Sequence, residues 1–131
     1  MSFTEHSPDG VAILLWATDP STPERLATPF FQAAAAAAMD APVEIYFTAA
    51  SVHLLVPGMA AALRASPRVH KTVLAHIQDA AAHGARLFAC SDALAAHGLT
   101  DTPLIAEVAG RGGAVQFMAR ALDLRWRTLV F

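Results

Sequence analysis

The chain has 131 residues, 55 % of them hydrophobic and 15 % charged, with a net charge of −2 and a pI near 6.3. That length fits one domain over residues 1–131, and the apolar share argues against disorder. Near-neutral charge without a block of like sign excludes an electrostatic nucleic-acid footprint and a polybasic membrane patch.

Alanine accounts for 30 residues and buries little area, so the larger apolar side chains must build the core. No apolar run approaches the roughly 18 residues of a membrane-spanning helix. Residues 1–10 hold Glu5 and Asp9 but no Lys or Arg, the wrong pattern for a signal peptide. The single cysteine, Cys90, has no internal disulfide partner, so a reducing, cytoplasmic setting is expected.

Ser7-Pro8-Asp9-Gly10 is a turn signal. The continuous apolar run Val11–Ala17 then suits a strand buried on both faces of a parallel sheet. Ser21 and Glu24 have capping-box spacing and Thr22-Pro23 is a helix start, which predicts a helix reaching Met39 and ended by Asp40-Ala41-Pro42. Val43–Thr48 is a second strand, rich in β-branched and aromatic residues. Short helical stretches are expected near Ser51–Val56 and over Gly58–Ala65. A full helix is predicted over His70–Ala82, with Gly84 just past its end.

Ala85–Cys90 is a third strand, and Ser91-Asp92 starts a short helix ending at His97-Gly98. Thr102-Pro103 predicts another helix through Leu104, Ile105 and Val108 to Gly110. A loop at Arg111-Gly112-Gly113, a helix over Ala114–Leu122 and a closing strand over Arg125–Phe131 follow. Strands alternating with helices indicate an α/β domain with a mainly parallel sheet.

Ligands of such sheets gather beyond the carboxyl ends of the strands. Thr18-Asp19, Thr48–His53 and Cys90-Ser91-Asp92 all fall there. Cys90 stands where a strand gives way to a helix, so free N–H groups and the helix dipole favour its thiolate, while Asp92 opposes it. A small buried core cysteine is the alternative. His53 is expected to face the same crevice, and Asp19 to orient a reacting group or simply to begin a helix.

His76 and His83 are seven positions apart on one helix, about 10 Å along its axis, too far for one ion and read as solvated. Neither a metal nor a cofactor is expected. Gly110-Arg-Gly-Gly113 lacks phosphate-loop spacing, and no G-x-S-x-G nucleophile elbow occurs.

The order of these motifs resembles the DsrE/DsrF-like family, which includes sulfur-relay subunits of the DsrE and TusD type. The resemblance rests on the buried first strand opening into a Pro-containing helix start, on Val43-Glu-Ile-Tyr-Phe-Thr48, and on the closing Trp126-Arg-Thr-Leu-Val-Phe131. Its most specific part is Ala89-Cys90-Ser-Asp-Ala-Leu-Ala-Ala-His-Gly98-Leu99, similar to that family's cysteine loop.

The resemblance implies a cytoplasmic three-layer α/β/α sandwich with a sheet of about five strands, assembling as a homotrimer or homohexamer. It also implies that Cys90 carries sulfane sulfur as a persulfide. Their place beyond the strand ends makes His53 a second catalytic candidate and sets Asp19, Ser91 and Asp92 around the ligand. The partner would be a sulfur donor or acceptor protein with its own reactive cysteine. The competing readings are a non-catalytic oligomeric module binding a small ligand, and a redox sensor oxidised at Cys90. The apolar stretch Ser51–Leu63, with Val52, Leu54, Leu55, Val56 and Met59, is the expected subunit contact.

Overall fold

A computed structural model describes residues 9–131. The turn expected from Ser7 therefore begins outside the described residues. Five strands form one parallel sheet: β1 (Gly10–Leu15), β2 (Val43–Phe47), β3 (Arg86–Ala89), β4 (Val108–Arg111) and β5 (Trp126–Val130), in the order β4-β3-β2-β1-β5. Four α-helices join them: α1 (Thr28–Ala38), α2 (Val73–Ala82), α3 (Ser91–Ala96) and α4 (Ala114–Ala121), with three short 3-10 turns. No helix among the described residues is long and apolar enough to cross a membrane.

Alternation along the strands sorts the side chains onto two faces. Ile13, Leu15, Val43, Ile45, Phe47, Leu87 and Ala89 meet Phe30 and Ala33 of α1, Val73 and Ile77 of α2, and Leu94 of α3 in the main core. Ala12, Tyr46 and Phe88 point to the other face, where Leu14, Phe117 and Trp126 pack on them. The result is the expected three-layer α/β/α sandwich. Among the described residues its layers are unequal, because three helices cover one face and α4 alone covers the other.

Four expectations require correction. The helix predicted from Ser21 to Met39 is broken into a 3-10 turn (Pro23–Arg25) and α1. Asp19 Oδ1 accepts from the Ser21 N–H at 2.7 Å, a local turn that competes with helix. Pro29 has no N–H for the Arg25 carbonyl, so the helix restarts with Pro29 in its first turn, where that donor is not needed. Asp40 closes α1 at φ 64°, a left-handed position that Asp tolerates.

The helix predicted over Thr102–Gly110 is instead irregular chain followed by β4. Leu87 pairs with Val108 and Phe88 with Gly110, leaving Ala109 as a bulge. Pairing along the free edge of β3 thus overrides an apolar spacing that suited a helix.

His76 is not solvated. It is 5 % exposed, with its ring edge-on to Phe31 at 4.8 Å between centroids, and burial lowers its pKa. His83 is exposed, as expected, and its Nδ1 lies 2.8 Å from the Asp79 carbonyl oxygen.

The expected subunit contact, Ser51–Leu63, is largely internal. Val52, Leu54 and Leu55 are fully buried in this chain's own core, on a 3-10 turn (Ala49–Leu55). Exposed apolar side chains lie elsewhere: Val115 (88 %), Met118 and Leu122 (78 %) on or just after α4, with Leu124, Val130 and Trp16 nearby in the chain or sheet. Val115 and Leu122, two turns apart, share the outer side of α4 as an apolar stripe, with Met118 on its flank.

Candidate functional site

The topology selects one crevice. The chain leaves β3 through α3 on the three-helix face, whereas it leaves β4 through α4 on the opposite face. Adjacent parallel strands whose connections part to opposite faces open a crevice between their carboxyl ends. Ala89-Cys90 and Arg111-Gly112-Gly113 are the two lips.

Cys90 is held by its backbone on both sides. Its N–H donates to the Phe47 carbonyl at 3.0 Å, continuing the sheet, and its own carbonyl accepts from the Leu94 N–H at 2.9 Å, opening α3. The side chain makes no capping bond, and the residue is half-buried. Across the crevice, the Gly112 N–H donates to the Ala89 carbonyl at 3.0 Å.

The glycine pair lets the second lip close in. A methyl at Gly112 would stand 3.1 Å from Phe88 Cβ, a tight contact with an atom that cannot swing away. A methyl at Gly113 would stand 3.5 Å from Cys90 Sγ. The space directly over the sulfur is therefore open because residue 113 has no side chain.

Two hollows meet at the sulfur. The outer one, about 530 Å³, is open to solvent and is bordered by Cys90, Ser91, Asp92, Arg111 and Gln116. The inner one, about 300 Å³, is more enclosed and mainly apolar, with Leu14, Tyr46, Thr48, Phe117 and Met118 around it. Cys90, Asp92 and the glycine pair border both.

The wall supplied by α4 is pinned by one polar network. Arg120 donates to both oxygens of Glu44, at 2.8 and 3.0 Å, and Tyr46 Oη donates to Glu44 Oε1 at 2.7 Å. The Arg120 guanidinium also stacks over the Trp126 ring at 4.1 Å. Burial alone would raise the Glu44 pKa, but the bonds from Arg120 and Tyr46 outweigh it and hold the carboxyl below its ordinary value. Burial, followed by the bond to Glu44, pushes the Tyr46 phenol up to about 12, so it stays neutral.

Ser91 and Asp92 thus gather with Cys90. His53 and Asp19 do not border either hollow. His53 Nε2 lies 3.1 Å from Nδ1 of His97, which follows the last residue of α3, whereas Cys90 caps that helix at its other end. The two ends are about 10 Å apart. Asp19 is bound by Ser21 Oγ and the Ser21 N–H, which, with weaker help from His53, lower its pKa. Thr48 joins the site from an expected strand end, Arg111 and the glycine pair join it although they read as a plain loop, and Tyr46 and Phe117 carried no site expectation. The Gly-Gly pair was the second lip's visible signal, masked by the helix expected before it.

A family model described as the DsrE/DsrF-like family matches residues 11–131. The crystal structure of the YchN protein from E. coli is similar, with a TM-score of 0.72 at 16 % identity, covering 93 % of this chain and 99 % of that one. At that identity the likeness speaks for the fold. No curated protein matches the chain.

Proposed function

Because the chain belongs to the DsrE/DsrF-like family, we propose that it is a sulfur-relay protein carrying sulfane sulfur as a persulfide on Cys90. The observation that carries this reading is the open space over Sγ, between the strand-end turn and the glycine pair. The Cys90 thiolate attacks the outer sulfur of a donor persulfide. A new S–S bond forms to Sγ, the donor's own S–S bond breaks, and the donor leaves as a thiolate. No net oxidation occurs, so neither a metal nor a cofactor is required by the step. A lone cysteine suits this role, since the thiol that removes the sulfur belongs to the next carrier.

The exposed outer hollow gives a partner protein's cysteine access to Cys90, with Ser91, Asp92 and Arg111 around the approach. A reducing compartment such as the cytoplasm keeps the thiol available between transfers. Members of the family are generally oligomeric. We assign the self-contact here to the apolar stripe of α4 and its neighbours on β5, since soluble monomers rarely expose contiguous apolar patches beyond a few hundred Å².

The enclosed inner hollow favours a second reading, a non-catalytic module that binds a small ligand beside an idle Cys90. Incubation with a sulfane-sulfur donor followed by intact-protein mass spectrometry separates the two. Gain of one sulfur atom, reversed by reductant and absent in Cys90→Ser, supports the relay. An unloaded Cys90 leaves the binding module, and an oxygen adduct instead of sulfur indicates the redox sensor.

A further inference from the structure

Relay between proteins needs only the outer hollow. The inner one is unused by that step, yet it borders the same sulfur. Its volume, about 300 Å³, lies at the small end of the range found for small-molecule sites. Leu14, Tyr46, Phe117 and Met118 make its walls largely apolar, and Tyr46 and Phe117 meet edge to face with centroids 5.5 Å apart. The Tyr46 hydroxyl is turned to Glu44, so that ring offers carbon rather than a polar group.

Charge decides what fits. Among the described residues no Lys, Arg or His borders this hollow, and the one ionisable carboxyl on it is Asp92. A carboxylate or sulfonate inside would lose its hydration without gaining a cation, and would meet Asp92 as a like charge. An uncharged alkyl or aromatic group loses nothing and gains burial.

Resting on the persulfide reading above, we propose that the inner hollow binds the uncharged apolar body of a small organic thiol, which serves as a sulfur acceptor. With that body seated, its thiolate attacks the outer sulfur of the Cys90 persulfide. The bond between that sulfur and Sγ breaks, Cys90 leaves as a thiolate, and the small molecule departs as its own persulfide. The proton lost by the acceptor thiol before attack balances the one that the Cys90 thiolate takes up.

The test uses the full chain loaded on Cys90 with inorganic polysulfide. Unloading is followed by intact-protein mass spectrometry, with 2-phenylethanethiol as the apolar acceptor and mercaptoethanesulfonate as a charged one, rates being corrected for thiolate fraction. The expected result is at least about tenfold faster unloading by the aromatic thiol, the discrimination a small apolar pocket can supply.

Met118→Asp sets a carboxylate in the wall at an exposed position on the flank of the α4 stripe, and with the assembly unchanged by light scattering it should erase the preference. As a readout independent of sulfur transfer, 2-phenylethanol should slow alkylation of the unloaded Cys90 and should fail to do so in Met118→Asp. Equal unloading rates, together with no protection by 2-phenylethanol, would overturn the inference while leaving the relay intact. Failure of polysulfide to load Cys90 would instead remove the reading on which the inference rests, and protection by 2-phenylethanol would then favour the binding module.

Discussion

Arg120→Ala is expected to destabilise the domain by about 2–3 kcal/mol at pH 7. Glu44 is 4 % exposed and sits on the sheet face that α4 covers. Removing Arg120 strips two charge-assisted bonds from a buried carboxylate and leaves it the Tyr46 hydroxyl. One-sided loss of a buried ion pair costs about 3–5 kcal/mol. The Arg120 side chain is 35 % exposed, so water can reach the vacated space and lowers that figure. Loss of the stack on Trp126 adds about 0.5–1 kcal/mol. Urea unfolding at fixed protein concentration measures the difference.

The pH dependence gives a second check on the same change. In the wild type the Glu44 pKa is depressed, so its contribution is present above the unfolded value near 4.5 and is lost as pH falls through the folded value. Without Arg120, burial dominates and raises the folded pKa, so the variant recovers stability as Glu44 protonates. The gap between the two proteins should therefore narrow from pH 7 towards pH 4. A gap below about 0.5 kcal/mol at pH 7, or one independent of pH, would refute the argument, because it would resemble an ordinary surface pair.

Gly112→Ala should cost about 1–3 kcal/mol by crowding Phe88 Cβ, whereas Gly113→Ala should fold normally but load less sulfur on Cys90, both readable by thermal melting and mass spectrometry. His76 has a depressed pKa, so the wild type should lose stability as pH falls from the unfolded value of 6.5 through the folded one. His76→Leu should lack that loss in melts across the same window, and parallel curves would contradict it. Val115→Asp combined with Leu122→Asp should reduce the mass measured by light scattering to the 13.8 kDa of a single chain, and an unchanged assembly would remove α4 from the contact.

The strands that carry the main core were legible by different signals. Val11–Ala17 is a continuous apolar run and holds β1, the β-branched and aromatic residues of Val43–Thr48 mark β2 despite Glu44, and Ala85–Cys90 holds β3. β4 was not legible. It is a four-residue edge strand containing Ala109 and Gly110, and its side chains give almost no alternation to read. Missing it also hid the second lip of the crevice, because Gly112-Gly113 looks like a helix end unless a strand precedes it.

Cys90 was recognisable from its strand-to-helix junction, which depends on local order alone. The distance between His53 and Cys90 depends on where the turn after β2 meets α3, a tertiary contact that leaves no local mark. The burial of Val52, Leu54 and Leu55 was misassigned for the same reason: an apolar run looks alike whether it covers its own core or a neighbour's.

The proposed persulfide places one sulfur atom on one side chain. Intact-protein mass spectrometry of the wild type and Cys90→Ser after exposure to a sulfane-sulfur donor, with peptide mapping of any adduct, tests it most directly. The expected result is a single added sulfur on Cys90, removed by reductant and transferable to a second thiol. An unmodified Cys90 under conditions that load a free small-molecule thiol would contradict it.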